Sequence, residues 1–351
     1  MKSSRKHWSF IRQSIRIVAQ APLQSFLVIQ TAFIGDAILA TAVIEKLHKH
    51  YPQAHIDFLV RKGNESLLTG HPFLREVLIW DKKQGKIKNL IRIIQSIRSR
   101  KYDCVINLHR YTSTGMISAF SGARIIAGFN KNPISFLFTH KVKHEFGSGI
   151  HEIERNQKVI EFLTDHDTEK PRLYPTLNDR ERVQSYQSGT YCCLAPTSVW
   201  FTKQWPANLW IQFIQSIQNK VDHIYLLGAP GDHATCEMIR TQSGGKAINL
   251  AGQLTFLQSA ALLQGAVMNF VNDSAPMHLA SATNAPVTAI YCSTIPEFGF
   301  GPLSAQSHIV QTKELLDCRP CGSHGHRSCP RGHFRCATSI PVEALQKCLT
   351  V

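Results

Sequence analysis

The sequence predicts an α/β protein made of two doubly wound units that face each other across a cleft. Three observations carry that expectation. From residue 26 onward, short apolar runs alternate with amphipathic ones, the pattern of a parallel sheet covered by helices on both faces. The alternation breaks in a polar stretch at 163–189, which holds two prolines and many charges, and then restarts. At 351 residues the chain is also long for one core.

The elements follow in order. Residues 26–30 read as a strand. Residues 36–50 read as a helix with Ile38, Leu39, Ala42, Val43 and Leu47 on one face. Strands are expected at 55–60 and 76–80, a helix with a basic outer face at 87–100, and strands at 102–108 and 124–129. The polar stretch reads as the linker, with a short helix in it. Beyond it come strand 191–195, helix 207–219, strand 223–227, helices 232–242 and 256–265, and strands 266–271 and 287–291. The expected divisions are a basic N-terminal segment (1–25), a first unit (26–175), a second unit (190–316) and a cysteine-rich segment (317–351) that carries the chain back toward the first unit.

Lys and Arg number 39 against 24 Asp and Glu, a net charge of +15. Such an excess implies anionic partners: nucleic acid, an acidic lipid surface or a phosphorylated substrate. Residues 1–20 contain Lys2, Arg5, Lys6, Arg12 and Arg16 and no acid, with Trp8, Phe10, Ile11, Ile15 and Val18 among them. They suit a membrane interface or a charged tail, and they lack the apolar core of a secretory signal. No apolar run reaches the roughly 18 residues of a membrane span. The ten cysteines form no evenly spaced secreted framework; Cys104, Cys192, Cys193 and Cys292 fall in apolar strand-like runs. A reducing, cytoplasmic setting is expected.

Three loops could carry chemistry. In FLVIQTAFIGD a strand runs through Gly35 to Asp36 at a helix start. Asp36 reads there either as a helix cap or as a general base over the cleft. In APTSVWFTKQWP, Thr197 and Ser198 offer hydroxyls and backbone donors. Lys203 offers a mobile cation suited to phosphate, or is a solvated surface lysine, while Trp205 and Pro206 anchor the loop. In VNDSAPMHLASA a strand ends at Asn272, Asp273 and Ser274, and a helix opens with Pro276 in its first turn. Its N-terminus is a ready anion site, which Ser274, Ala275 and His278 would line. His278 reads equally as a core residue.

Together, in this order, Gly35-Asp36, the Thr197-Ser198…Lys203…Trp205-Pro206 run and Asp273-Ser274…Pro276-Met277-His278-Leu279-Ala280 resemble the heptosyltransferases of glycosyltransferase family 9 over about residues 26–345. The resemblance implies a GT-B fold of two Rossmann-like domains, with an ADP-heptose donor on the second and a lipopolysaccharide inner-core acceptor (lipid A–Kdo) on the first. It implies Asp36 and Lys203 as catalytic residues, and Thr197, Ser198, Lys203, Asp273, Ser274, Ala275 and His278 as lining the donor. Leu254 would lie near the nucleobase and Asp232 near the ribose. It implies inverting, direct displacement with no cofactor for catalysis, at the inner face of a membrane and with no nucleic acid involved. Arg61, Lys62, Arg124 and Lys131 are candidates to receive the anionic acceptor. Ala275 stands where the family usually has glycine, and its methyl could crowd a phosphate.

The tail holds Cys318-x2-Cys321-x7-Cys329-x6-Cys336, with His324, His326 and His333 interspersed. This could be a structural zinc or iron site, a disulfide pair or free thiols. Two other functions remain open at this point. One is a non-catalytic basic protein that binds anions. The other is a GT-B relative that glycosylates a different acceptor, such as a protein, or epimerises a nucleotide sugar.

Overall fold

The computed structural model describes residues 23–82 and 85–349; the basic segment at 1–20 lies outside them. The first lobe runs β1 (Ser25–Ile29), α1 (Ile34–His50), β2 (His55–Arg61), β3 (Glu76–Trp80), α2 (Lys86–Ser99), β4 (Cys104–Asn107), α3 (Thr112–Ala119), β5 (Ile125–Phe129), β6 (His140–Val142) and α4 (Glu152–Lys158). The second runs α5 (Leu177–Val183), β7 (Tyr191–Ala195), α6 (Ala207–Ile217), β8 (His223–Leu226), α7 (His233–Gln242), β9 (Ile248–Asn249), α8 (Phe256–Gly265), β10 (Met268–Asn272), α9 (Ala275–Ala282), β11 (Val287–Tyr291) and β12 (Ser307–Gln311). Two short helices, α10 (Arg335–Thr338) and α11 (Val342–Gln346), end the described chain.

Each lobe contains a six-stranded sheet, ordered β3-β2-β1-β4-β5-β6 in the first and β12-β11-β10-β7-β8-β9 in the second, and the strand pairs are parallel. Counted within its own lobe, the second sheet repeats the order of the first. In both, the strand order reverses beside the first strand, between β1 and β4 and between β7 and β10. Side chains there open a crevice at the carboxyl ends of the strands.

Burial explains the near-continuous apolar runs. Every residue of β7, β10 and β11 is buried. Helix α1 is buried almost all round, from Ala37 to Ile44 and again at Lys46 and Leu47, because it packs against α4 of its own lobe and α9 of the other. One apolar cluster therefore includes Phe26, Val28 and Val43 of the first lobe together with Val271, Met277 and Ala289 of the second.

The main elements lie where the sequence predicts them, within a few residues. Helices α3 and α4 and edge strands β6, β9 and β12 are additional. α3, TSTGMISA, has no apolar periodicity to read, and the edge strands are short or half-exposed. The short helix expected in the linker is α5, capped by Thr176 and Asp179, and it packs on α8 of the second lobe.

The end of the tail is packed on the second lobe. Ala337, Ile340, Val342, Leu345 and Leu349 join the apolar cluster of the second lobe with Trp205, Trp210 and Phe213, and α11 packs on α6. The segment thus closes on the second lobe. Its apolar residues add to the cover that α6 and α7 give that face of the sheet.

Trp205 joins these parts. Its backbone N–H donates to Asn272 Oδ1 at 3.0 Å and its indole N–H to Ile340 O at 3.2 Å, with 1 % of its surface exposed. Trp205→Ala is expected to cost about 3–5 kcal/mol through the cavity it leaves, with the added loss of the tail's anchor. Thermal or denaturant unfolding of the variant measures this.

Candidate active site

The loops at the two switch points meet between the lobes. Gly35 lies in the first turn of α1, and a Cβ built on it would stand 2.7 Å from His278 Cδ2 and 3.3 Å from Nε2. A side chain does not fit that gap, so glycine is what allows α1 and α9 to approach. Asp36 follows directly and Phe33, not Asp36, is the N-cap of α1. The reading of Asp36 as a cap is therefore corrected: it is the third helical residue, at the floor of the cleft.

Its surroundings set its charge. Burial between the lobes, then the neighbouring Glu152, push the Asp36 carboxyl up to about 7, while the N–H groups of Asp36 and Phe33 and the charge of Arg110 pull it partly back. Glu152 is buried and bound through Oε2 to the Arg155 guanidinium at 2.7 Å. The same guanidinium donates to Phe298 O in the second lobe at 3.1 Å, and the Glu152 N–H donates to Gly299 O at 2.8 Å. The pair thus ties the lobes together beside Asp36.

The second lobe supplies the anion cradle. Lys203 Nζ is 2.6 Å from Asp273 Oδ2, with 15 % and 8 % of the two side chains exposed. Thr294 Oγ1 donates to the same oxygen at 2.6 Å. Lys203 is therefore not the mobile cation of the sequence reading; Asp273 pins it at the site. Ser274 is the N-cap of α9 in extended backbone, with no side-chain cap bond, and Pro276 lies in the first turn. Pro276 has no N–H and Met277 N donates to Ser274 O at 3.1 Å, which leaves the Ala275 amide without a partner inside the helix. Ala275 is not among the positive-φ residues, so the backbone there does not demand glycine.

His278 is buried, and its Nδ1 has no hydrogen-bond partner among the described residues. That is not a satisfied core histidine. Burial pushes its pKa down to about 4, so the ring is neutral near pH 7 and its N–H can donate to an oxygen brought against it. Thr197 and Ser198 are half-buried on the β7 loop, which Gln204 Nε2 braces by donating to Ser198 O at 2.6 Å. Asp232 lies after β8, where its Oδ2 accepts from Ala229 N at 2.8 Å. Leu254 lies after β9, partly buried against the shared apolar cluster. Both stand at the carboxyl edge of the second sheet.

Two groups escaped the sequence reading. The first is the end of β4. His109 shares a hydrogen bond with Thr31 Oγ1 at 3.2 Å and is pushed down to about 3 by burial, then by Lys82 and Arg110. Lys82 donates to Thr31 O at 2.7 Å, and burial pushes it down to about 8. The charge of Arg110 acts on Asp36, on Glu152 and on His324 across the cleft. A histidine and an arginine directly after an apolar strand at the switch point were the available signal.

The second is the placement of the cysteine-rich loop, which the sequence singles out only for its thiols and histidines. His326 N donates to Thr202 Oγ1 at 2.7 Å and Thr202 N donates to His326 O at 3.1 Å. Cys321 N donates to Ser293 O at 2.8 Å. Gly325, at φ +79, packs so that a Cβ would lie 2.8 Å from Thr202 Oγ1 and 3.1 Å from Lys203 Cγ. The loop is a wall of the cradle. Cys318 Sγ stands 3.7 Å from His333 Nε2, and burial, then the neighbouring thiols of Cys329, Cys318 and Cys321, push up that of Cys336. Among the described residues no three His, Cys, Asp or Glu side chains are gathered closely enough to hold a metal ion.

The cationic candidates divide. Arg61, at the end of β2, lies over the exposed Phe33 ring at 5.3 Å. Lys62 pairs with Asp81 at 3.0 Å, and Lys131 follows β5, at the cleft end of the sheet. Arg124 precedes β5 and so lies at the opposite edge, lining a separate hollow with Arg98 and Lys101. It is withdrawn from the acceptor set, because in a parallel sheet residues before a strand face away from the cleft.

Two doubly wound lobes with facing switch points, a carboxylate on one and an anion cradle on the other, define a glycosyltransferase of the GT-B class. The sequence model of glycosyltransferase family 9 (heptosyltransferase) matches residues 90–328, and the chain belongs to that family. It is 30% identical over 278 residues to lipopolysaccharide heptosyltransferase 3 of Escherichia coli (strain K12), covering 74% of this chain and 80% of that protein. Its fold is similar to that of the glycosyl transferase family 9 protein from Veillonella parvula DSM 2008 (TM-score 0.82, 22% identity, 93% and 97% of the two chains). It is also similar to that of E. coli ADP-heptose lps heptosyltransferase II (TM-score 0.76, 20% identity, 93% and 98%).

The raised pKa of Asp36 has a stability consequence. An unfolded aspartate titrates near 3.9. The folded state's preference for the protonated carboxyl is fully present below that value and is lost as pH rises through about 7. Asp36→Asn, which removes the buried charge, is expected to melt several degrees above the unsubstituted protein at pH 8. The difference should vanish near pH 4, as differential scanning calorimetry at the two pH values would show.

Proposed function

We propose that this glycosyltransferase moves heptose from ADP-heptose to the inner core of lipopolysaccharide, on a lipid A–Kdo acceptor, with inversion at the anomeric carbon. The observation that carries the reading is the meeting of Gly35-Asp36 with His278 across the lobes. The names of the relatives support the donor and acceptor classes.

Asp36 takes the proton of the acceptor hydroxyl. The hydroxyl oxygen bonds to the anomeric carbon as the bond from that carbon to the β-phosphate oxygen breaks, and ADP leaves. A carboxyl at about 7 suits the task, because a base is most useful when its pKa is near the working pH. Negative charge grows on the departing diphosphate. Lys203, the Ala275 amide at the start of α9, Ser274 and the His278 ring are fixed donors for it, and fixed donors need no reorganisation during the reaction. Asp273 holds Lys203 in place. Thr197 and Ser198 line the β7 side, with Asp232 toward the ribose and Leu254 toward the base. Arg61, Lys62, Lys131, Lys82 and Arg110 give the first lobe a cationic mouth for an anionic acceptor. The chemistry calls for no metal, and the working location is the cytoplasmic face of the inner membrane.

Asp36→Asn is expected to lower kcat by roughly 10²–10⁴-fold while ADP still binds, measured by ADP release and by calorimetric titration. Retained turnover would remove Asp36 as the base. In the unsubstituted enzyme kcat/KM should climb with pH and level off above about 7, and that limb should be missing from any residual activity of the variant.

The thiols of Cys318, Cys321, Cys329 and Cys336 are proposed as a structural zinc or iron site, a soft donor set suited to either ion. Purified protein is expected to contain about one equivalent of zinc or iron by elemental analysis. Cys321→Ser should lower both that content and the melting temperature; a metal-free protein with an unchanged melting point in the variant would leave these as plain thiols.

A further inference from the structure

Helix α2 presents a surface that the transfer reaction does not use. Its inner face, with Leu90, Ile93, Ile94 and Ile97, packs on Leu27, Leu59, Leu78 and Val105 of the first sheet. Its outer face leaves Ile87 76 % and Ile91 51 % exposed. Lys86, Lys88, Arg92 and Arg98 are exposed beside them. The helix, KIKNLIRIIQSIRS, carries no acidic residue. Residues 87, 91, 95 and 98 fall on one stripe at helical spacing, about 16 Å long. Ile87, Lys88, Ile91, Arg92 and Gln95 line one shallow hollow along it. Past its C-terminal end Arg98, Lys101 and Arg124 line a second hollow.

We propose that the outer face of α2 docks the enzyme on a bilayer rich in anionic phospholipid. The chemistry favours lipid over nucleic acid. A phosphate backbone would engage the cations but leave the protruding isoleucines in water. A headgroup layer takes both: cations at the phosphates, branched apolar side chains at the acyl boundary.

Position agrees with charge. Asn89 Nδ2 donates to Asp81 O at 3.3 Å, tying the start of α2 to the end of β3. The next residue, Lys82, reaches Thr31 O in the loop that leads to Asp36. The N-terminal end of the docking face therefore adjoins the mouth of the first lobe, where a lipid-borne acceptor would arrive, and the face runs from there toward the opposite edge of the sheet. The inference deepens the reading of such an acceptor, but its geometry does not depend on the sugar transferred.

The test uses the full chain and sedimentation with vesicles of phosphatidylethanolamine containing phosphatidylglycerol, compared with phosphatidylcholine alone. Binding to the anionic vesicles is expected, weakened by salt and absent on phosphatidylcholine. Lys88→Glu with Arg92→Glu should weaken it by about 30-fold or more, at roughly a kcal/mol per cation near such a surface. Ile87→Asn with Ile91→Asn, which removes apolar contact and adds no charge, should weaken it without changing the salt dependence. All four positions are exposed, so melting temperatures and transfer to a delipidated, water-soluble core oligosaccharide should match the unsubstituted enzyme. Vesicle binding equal to the unsubstituted protein in both double variants would overturn the proposal and point to another basic segment. Loss of duplex DNA binding in the variants with vesicle binding intact would overturn it in favour of nucleic acid. Failure of the unsubstituted enzyme to transfer any sugar would count against the reaction alone, since docking is read without donor or acceptor.

Discussion

The close approach of Gly35 and His278 is the constraint on which the rest of the site depends. Each lobe alone has only half of a crevice: a carboxylate near a helix start on one side, a pinned lysine and a helix N-terminus on the other. The halves become one site because a residue without a side chain lets an imidazole edge press against α1. The same closeness surrounds Asp36 with protein and raises its pKa. It also places Glu152 where its partner Arg155 reaches the carbonyl of Phe298 in the opposite lobe. Spacing between lobes, basicity of the carboxylate and closure of the cradle thus have one origin.

Charge in this cleft is held in pairs until a ligand arrives. Lys203 is neutralised by Asp273, and Glu152 by Arg155. Leaving one member of a buried pair alone is costly, so each pair fixes the geometry of its members. A diphosphate entering beside Lys203 meets a cation already oriented, at the expense of sharing it with Asp273. His278 is the complement: a neutral ring whose Nδ1 has no partner among the described residues.

Much of this was legible in the sequence because it rests on local patterns. Strand runs such as 191–195 are buried on both faces and read as unbroken apolar stretches. The helix start at Pro276 is written in a few adjacent residues. What escaped depends on contacts far apart in the chain. Nothing near Lys203 announces Asp273 as its partner seventy residues on, and nothing in the tail's cysteine spacing announces that Gly325 will lie on Thr202. α3 escaped because its Thr, Ser and Gly carry no period. Arg124 looked like its cationic neighbours until the direction of β5 put it at the other edge of the sheet.

The apolar cluster that draws on both lobes has one more consequence. Two bodies joined only by a linker would melt separately and rock freely. Here Phe26 and Val43 belong to the same packed mass as Met277 and Ala289, so loosening either half strips cover from the other. The molecule should come apart in a single cooperative step.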